Sequence, residues 1–257
     1  MNVPVTPTSS RTPLRSRPTH EGLRGRLRGV PLELGFVVAA LLLNALVRWY
    51  TLEDEARAVA NARDVLALQE RLHLDWEHAV QDATLTLTWL DSFTQWFYVW
   101  GYFPVVVVVL VGLYVWRPDT YPLFRNALLV SGAIGLLCYA FYPTAPPRLT
   151  DPGYVDTVAT GVLDAAARPV GIANELGAIP SFHVGWLALS GYVVHRVTRS
   201  AVLRVLCVLV PATMAYAVVA TGNHWVLDIP AGVAVALVGL LVARTMTRAT
   251  HRGEPDG

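Results

Sequence analysis

Lysine is absent from the 257 residues: all 20 cationic side chains are arginines, set against 19 carboxylates. Any mechanism that needs a lysine is excluded. Charge of either sign is scarce as well, at 15% of the chain, where a soluble domain carries about a quarter. Cysteine is nearly absent. Cys138 and Cys207 fall in two different apolar runs, too few and too isolated for a disulfide framework or a metal pattern, and they read as small apolar fillers. No carboxylate cluster of the kind that holds magnesium is visible, so no metal is expected; no cofactor and no nucleic-acid partner is expected either.

What fills the chain instead is apolar sequence with few charges. "ELGFVVAALLLNALVRWY" (33–50), "WFYVWGYFPVVVVVLVGLYVW" (96–116) and "NALLVSGAIGLLCYAFY" (126–142) come first. "FHVGWLALSGYVVH" (182–195), "AVLRVLCVLVPATMAYAVVAT" (201–221) and "WVLDIPAGVAVALVGLLVA" (225–243) follow. A hydrocarbon core of about 30 Å takes roughly 20 helical residues, and one buried core helix explains one such run but not six. The expected fold is an all-α integral membrane protein, a bundle of six transmembrane helices. The fourth run is short and is expected to begin near Gly177.

Residues 1–31, rich in Pro, Thr, Ser and Arg, read as a disordered cytoplasmic tail. Residues 32–245 read as the membrane domain and 246–257 as a second cytoplasmic tail. "AVANA" (58–62) resembles a cleavage site weakly, and the first span reads as an uncleaved anchor. The arginines set the orientation: 14 fall in the tails and in the connections after the second and fourth spans, six on the other side. That asymmetry puts both termini in the cytoplasm. Segment 51–95 is then extracytoplasmic and reads as amphipathic helix, with Val59, Leu66 and Leu72 recurring among acids, lying in the interface or capping the bundle. Within it, His73, Glu77 and His78 lack the spacing and the third ligand of a zinc site, and read as solvated surface.

The same topology returns three distant segments to one membrane face: "YPTAPPRL" (142–149), "PSFH" (180–183) and "GNHWVLD" (222–228). His224 and Asp228 are four apart, which on a helix puts both side chains on one face. A carboxylate bonded to one imidazole nitrogen fixes the tautomer and leaves the other nitrogen basic, the description of an oriented nucleophile or base. The alternative is a capping pair at the water boundary. His183 follows Ser181, a candidate N-cap behind Pro180, and helix N-termini bind phosphate. Thr221, Gly222 and Asn223 precede His224 in the same way, so two helix starts with two histidines frame an anion site, with Ser181 and Asn223 as phosphate-binding candidates. Arg148 is the candidate fixed cation; alone it reads as a headgroup snorkel.

"YPTAPPRL", "IPSFHVGW" and "TGNHWVLDIPAG", in that order on six spans, resemble the type 2 phosphatidic acid phosphatase superfamily, and within it the inositolphosphotransferase branch that includes inositol phosphorylceramide synthases. The resemblance covers roughly residues 30–245. It implies that His224 attacks phosphorus, Asp228 orients it and His183 protonates the leaving oxygen. It further implies a metal-independent membrane enzyme in a bacterial plasma membrane, with an extracytoplasmic site and a phospholipid or lipid-linked phosphate as substrate. Two cations of the superfamily pattern are missing: Phe141 stands at the lysine position and Ala217-Val218 where Ser-Arg is usual. Arg168 is a candidate second cation. Transfer through a phosphohistidine to an alcohol, possible inositol-phosphate transfer included, and hydrolysis of a polyprenyl or diacylglycerol phosphate both stay open. So does a scaffold or transporter, although no internal repeat is visible and the polar residues sit at span ends. Oligomeric state is not encoded.

Overall fold

The structure is a computed structural model that describes residues 29–51, 54–150, 153–160 and 174–252, with side chains through residue 248. Most of the expected N-terminal tail with His20, the end of the C-terminal one, the side chain of His251, and Arg168 lie outside the described residues. The chain divides into two compact units, Met1–Ala39 and Ala40–Gly257. Of the first, the described part is the opening of one helix. The second holds everything that follows.

Among the described residues the regular structure is helical, with one isolated bridge between Thr144 and Gly177. In chain order the helices are α1 (Val30–Thr51), α2 (Glu55–Leu72), α3 (Glu77–Leu85), α4 (Thr88–Trp100) and α5 (Phe103–Trp116). Then come α6 (Tyr121–Phe141), the single turns α7 (Pro147–Thr150) and α8 (Thr157–Thr160), α9 (Phe182–Val197), α10 (Ala201–Ala220) and α11 (Asp228–Arg252). Four of these, α1, α6, α10 and α11, are long and apolar enough to cross a membrane. The α4–α5 pair, bent by 43° at Gly101-Tyr102, adds a fifth candidate when the two helices are counted as one span. All six apolar runs are thus helical, but α9 has 16 residues and starts at Phe182 rather than near Gly177.

Sequence accounts for the ends and the packing. Pro lies in the first turn of both α5 and α6, where its missing N–H has no intrahelical partner to lose. The bundle core joins Phe124 and Leu128 of α6, Val184 and Leu187 of α9, Met214 and Val218 of α10, and Ala236 and Leu240 of α11. Helices α9 and α11 meet through Gly185 and Gly232: a Cβ on Gly185 would strike the Gly232 carbonyl, and one on Gly232 the Ser181 carbonyl. Small residues of this kind are how helices approach closely where lipid offers no hydrophobic drive. The outer faces stay greasy. Val202, Val205, Val208 and Leu209 of α10 are exposed, as a hydrocarbon surround requires.

The segment read as one amphipathic stretch is three helices, of which α4 belongs to the bent pair. The inward face of α2 is Ala58, Ala62, Val65 and Gln69. Val59 and Leu66 flank it, but Leu72, expected on that face, is exposed because the helix ends there, with His73 in the left-handed conformation as its cap. Ala58, Ala62 and Val65 pack with Ala145, Ala178 and Trp225. The segment thus packs on the turns that precede α9 and α11. His73 and His78 are exposed as expected, whereas Glu77 is 1% exposed, and solvated surface is the wrong description of it.

Candidate active site

The three distant segments converge. The Arg148 N–H bonds the Gly222 carbonyl (3.1 Å), Trp225 Nε1 donates to the Ala145 carbonyl (2.9 Å), and the Ala178 N–H bonds the Thr144 carbonyl (3.0 Å). The Ser181 N–H donates to the Asp228 carbonyl (3.1 Å).

His224 is 5% exposed and sits not on a helix but in the turn ahead of α11, which begins at Asp228. The helical-face argument therefore gave a correct pairing for a different reason. Asp228, fully buried, turns Oδ2 back to accept from the Trp225 N–H at 2.8 Å, and the same oxygen stands 3.1 Å from Nδ1 of His224. The Ala178 carbonyl is 2.9 Å from that nitrogen. Two acceptors on Nδ1 hold its proton there, which leaves Nε2 with its lone pair outward. The turn itself depends on Gly222, whose φ of +68° few side chains tolerate. A Cβ there would also press on Gln81 and on the Val155 carbonyl.

Nε2 of His224 faces Nδ1 of His183 at 3.4 Å, with the two rings near perpendicular. That gap is too short to hold phosphorus between those two nitrogens. Attack wants the nucleophile about 3–3.5 Å from its target, and proton donation takes about 2.6–3.2 Å more. A substrate held between those two nitrogens would have to displace the His183 ring. That ring stacks on Tyr98 (4.7 Å between centroids) and leans on Tyr102 (4.5 Å), one turn apart on the bent α4–α5 pair.

The other candidates land near the pair with altered roles. Ser181 is the N-cap of α9 by position, but its side chain caps nothing; Oγ is buried without a partner among the described residues. Asn223 is committed: Oδ1 accepts from Arg148 Nε (2.9 Å), and Nδ2 donates to Thr221. The Asn223 and His224 N–H groups both donate to the Val218 carbonyl, so the expected second anion-binding helix start does not exist. The first turn of α9 is the one that remains. Arg148, its side chain 6% exposed, also pairs with Asp156 at 3.2 Å, which offsets part of its charge. Ala217 and Val218 lie in the fully buried core and Phe141 is 72% exposed, so no other group replaces the two missing cations at those positions.

Sequence reasoning passed over a second group. Glu77 Oε1 accepts from the Val226 N–H and from Gln69 Nε2, both at 2.7 Å, and Gln69 Oε1 accepts from the Leu227 N–H at 2.9 Å. Gln81 donates to the carbonyls of Ala220 and Val155. Burial pushes the Glu77 carboxyl above its ordinary value, against the lowering effect of the Val226 N–H. The spacing 69, 77, 81 on helices with otherwise wet faces is the signal that was available. For Asp156 there was none.

A sequence profile of the PAP2 superfamily matches residues 63–242. Among solved structures, that of LpxE from Aquifex aeolicus is similar at 15% identity, with a TM-score of 0.51 over 67% of this chain and 94% of that one. No curated protein matches.

Proposed function

We propose, on the premise that the chain belongs to the PAP2 superfamily, that it is a membrane lipid phosphotransferase working through a phosphohistidine on His224. The observation that carries this is the orientation of His224: Nδ1 held by Asp228 and the Ala178 carbonyl, Nε2 turned toward His183. In the first half-reaction Nε2 attacks phosphorus, the bond to the leaving oxygen breaks, and His183 in its protonated form gives that oxygen its proton. Asp228 stabilises the charged His224 ring. In the second, His183 takes the proton of an acceptor hydroxyl, which attacks the phosphohistidine and frees Nε2. Arg148, the α9 N–H groups and Ser181 Oγ hold the equatorial oxygens.

The charge available supports a monoanionic phosphodiester as donor rather than a dianionic monoester. Among the described residues the site has one guanidinium, its charge partly offset by Asp156 and without the two superfamily cations, which suits a single negative charge. That favours transfer of a headgroup phosphate, in the manner of the inositolphosphotransferase branch; hydrolysis of the same donor differs only in its acceptor, whereas a phosphatase acting on a polyprenyl or diacylglycerol phosphate takes a monoester. We also take the bundle to cross six times. The 16 residues of α9 span about 24 Å at about 1.5 Å each, and the segment from Gly177 to Ser181 completes the passage. Six crossings return both tails to the arginine-rich face and leave the site extracytoplasmic.

The test is purified enzyme in EDTA with labelled phosphatidylinositol and lipid alcohol acceptors other than diacylglycerol, ceramide among them. His224→Ala abolishes turnover and the acid-labile phosphoprotein, a new lipid product marks transfer, and released inositol phosphate marks hydrolysis. Turnover retained in His224→Ala refutes the assignment.

A further inference from the structure

The two histidines of the site are held by different means. Nδ1 of His224 meets the Asp228 carboxylate and the Ala178 carbonyl. The His183 ring has no such pair. Among the described residues its one hydrogen-bond partner is Nε2 of His224, 3.4 Å from Nδ1. A phosphate seated between those two nitrogens removes that contact. What still orients His183 is then aromatic. Its ring lies on Tyr98 with 24° between the planes and 4.7 Å between centroids, and Tyr102 stands at 46° and 4.5 Å.

The support is itself fixed. Both tyrosines pack on the bundle core, and Tyr102 lies at the 43° break between α4 and α5. Beside Tyr102, at 6.2 Å, is Trp186 of α9, whose Nε1 donates to Ser131 Oγ of α6 at 3.1 Å. Trp186 follows His183 by three residues, so one face of α9 carries both the supported ring and the backing of its support. Offset stacking tolerates sliding along a ring face better than tilting away from it, because tilting opens a gap that forfeits dispersion. A ring held in this way can move aside for phosphorus and keep Nδ1 aimed at the space in front of His224.

We propose that Tyr98 and Tyr102 are positioning residues for His183, their faces fixing the plane in which its Nδ1 meets the leaving oxygen. This rests on the assignment of His183 as proton donor made above. It calls for ring faces rather than hydroxyls, so phenylalanine should serve in place of either tyrosine.

The experiment follows single-turnover formation of the phosphoenzyme by the full chain in nanodiscs, from labelled phosphatidylinositol and from inositol 4-nitrophenyl phosphate. Expelling an alkoxide needs the proton of His183, whereas nitrophenolate leaves without one. On the lipid, Tyr98→Leu should slow the step about tenfold or more and Tyr98→Phe by about threefold at most, with the Tyr102 variants behaving alike. On the nitrophenyl ester Tyr98→Leu and His183→Ala should each cost about threefold at most. In the His183→Ala background Tyr98→Leu should cost nothing further. Equal losses on both esters, a phenylalanine as slow as leucine, or an undiminished effect without His183 overturns the proposal and leaves the role of His224 standing. Lipid turnover by His224→Ala sinks the reaction but not the stack, which is read without turnover by NMR of labelled histidine. The carbon-bound ring protons of His183 should be shifted upfield by the Tyr98 face in the native chain and in Tyr98→Phe, and released in Tyr98→Leu. Unchanged His183 signals in Tyr98→Leu overturn the proposal even where neither ester is turned over.

Discussion

Two clusters of buried polar side chains grip the same stretch, Ala220 to Asp228, and they grip it differently. From the bundle, Asp228 and the Ala178 carbonyl act on the His224 ring itself, at 3.1 and 2.9 Å. From the cap, Gln69, Glu77 and Gln81 reach the backbone of Ala220, Val226 and Leu227 and touch no imidazole. The first cluster sets where a proton sits. The second sets where a chain runs. Losing the one should change chemistry at constant structure, and losing the other should loosen structure at constant chemistry.

The largest effect is expected from Asp228→Asn. The asparagine keeps shape and can still accept from the Trp225 N–H, but it no longer stabilises a charged His224 ring and offers Nδ1 a donor as readily as an acceptor. We predict a fall in kcat of roughly 10²–10⁴, little change in KM, and loss of the trapped phosphohistidine, read by single-turnover kinetics. A change in KM with kcat preserved would mean that Asp228 works as scaffolding, and the contrast between the clusters would collapse.

That contrast also separates what the sequence discloses from what it hides. His183, His224, Asp228 and Arg148 are legible because chemistry-bearing residues are rare in 54% apolar sequence, and each stands at the end of a run whose length is set by the bilayer. The helices themselves are legible for the same reason. The start of α11 was misplaced by one turn, since a carboxylate bonding back to the Trp225 N–H and an ordinary helical pair share the same four-residue spacing. Glu77 was misread because a buried acid and a solvated one look alike until a distant N–H, here Val226, is found opposite it. Asp156 was invisible for want of any pattern around it. The tyrosines under His183 were in view at 98 and 102, one turn apart, but in a run so aromatic that no two rings stood out.

A smaller effect is expected from Gln69→Leu on the cap side. The substitution fills similar volume, removes the acceptor of the Leu227 N–H and takes away one donor to Glu77. Stranding a buried N–H costs about 1–3 kcal/mol, so thermal unfolding in detergent should move down by several degrees. Activity should fall by about tenfold, through the fraction of molecules with the turn in place. The pH profile of kcat should keep its shape, because no proton at His224 is disturbed. A displaced profile would place Gln69 in the chemistry, contrary to its backbone-only contacts.

The smallest effect, and the one that isolates a single group, is the pH dependence contributed by Glu77. Burial raises its carboxyl above the ordinary 4.5 in the folded chain, so the folded state holds that proton more tightly than the unfolded state does. Whatever stability this difference confers is complete below about pH 4.5 and is lost as pH climbs through the raised value. In Glu77→Gln the oxygen that serves Val226 and Gln69 persists and the titration is gone. We therefore predict that the variant's unfolding temperature falls less than the native chain's between pH 4.5 and 8, with the two curves separating toward the alkaline end. Curves that instead separate toward the acid end would show the carboxylate, not the acid, to be the form the fold prefers. Oε2 would then have a donor of its own, and the Glu77 side of the stretch would hold it by charge as Asp228 does.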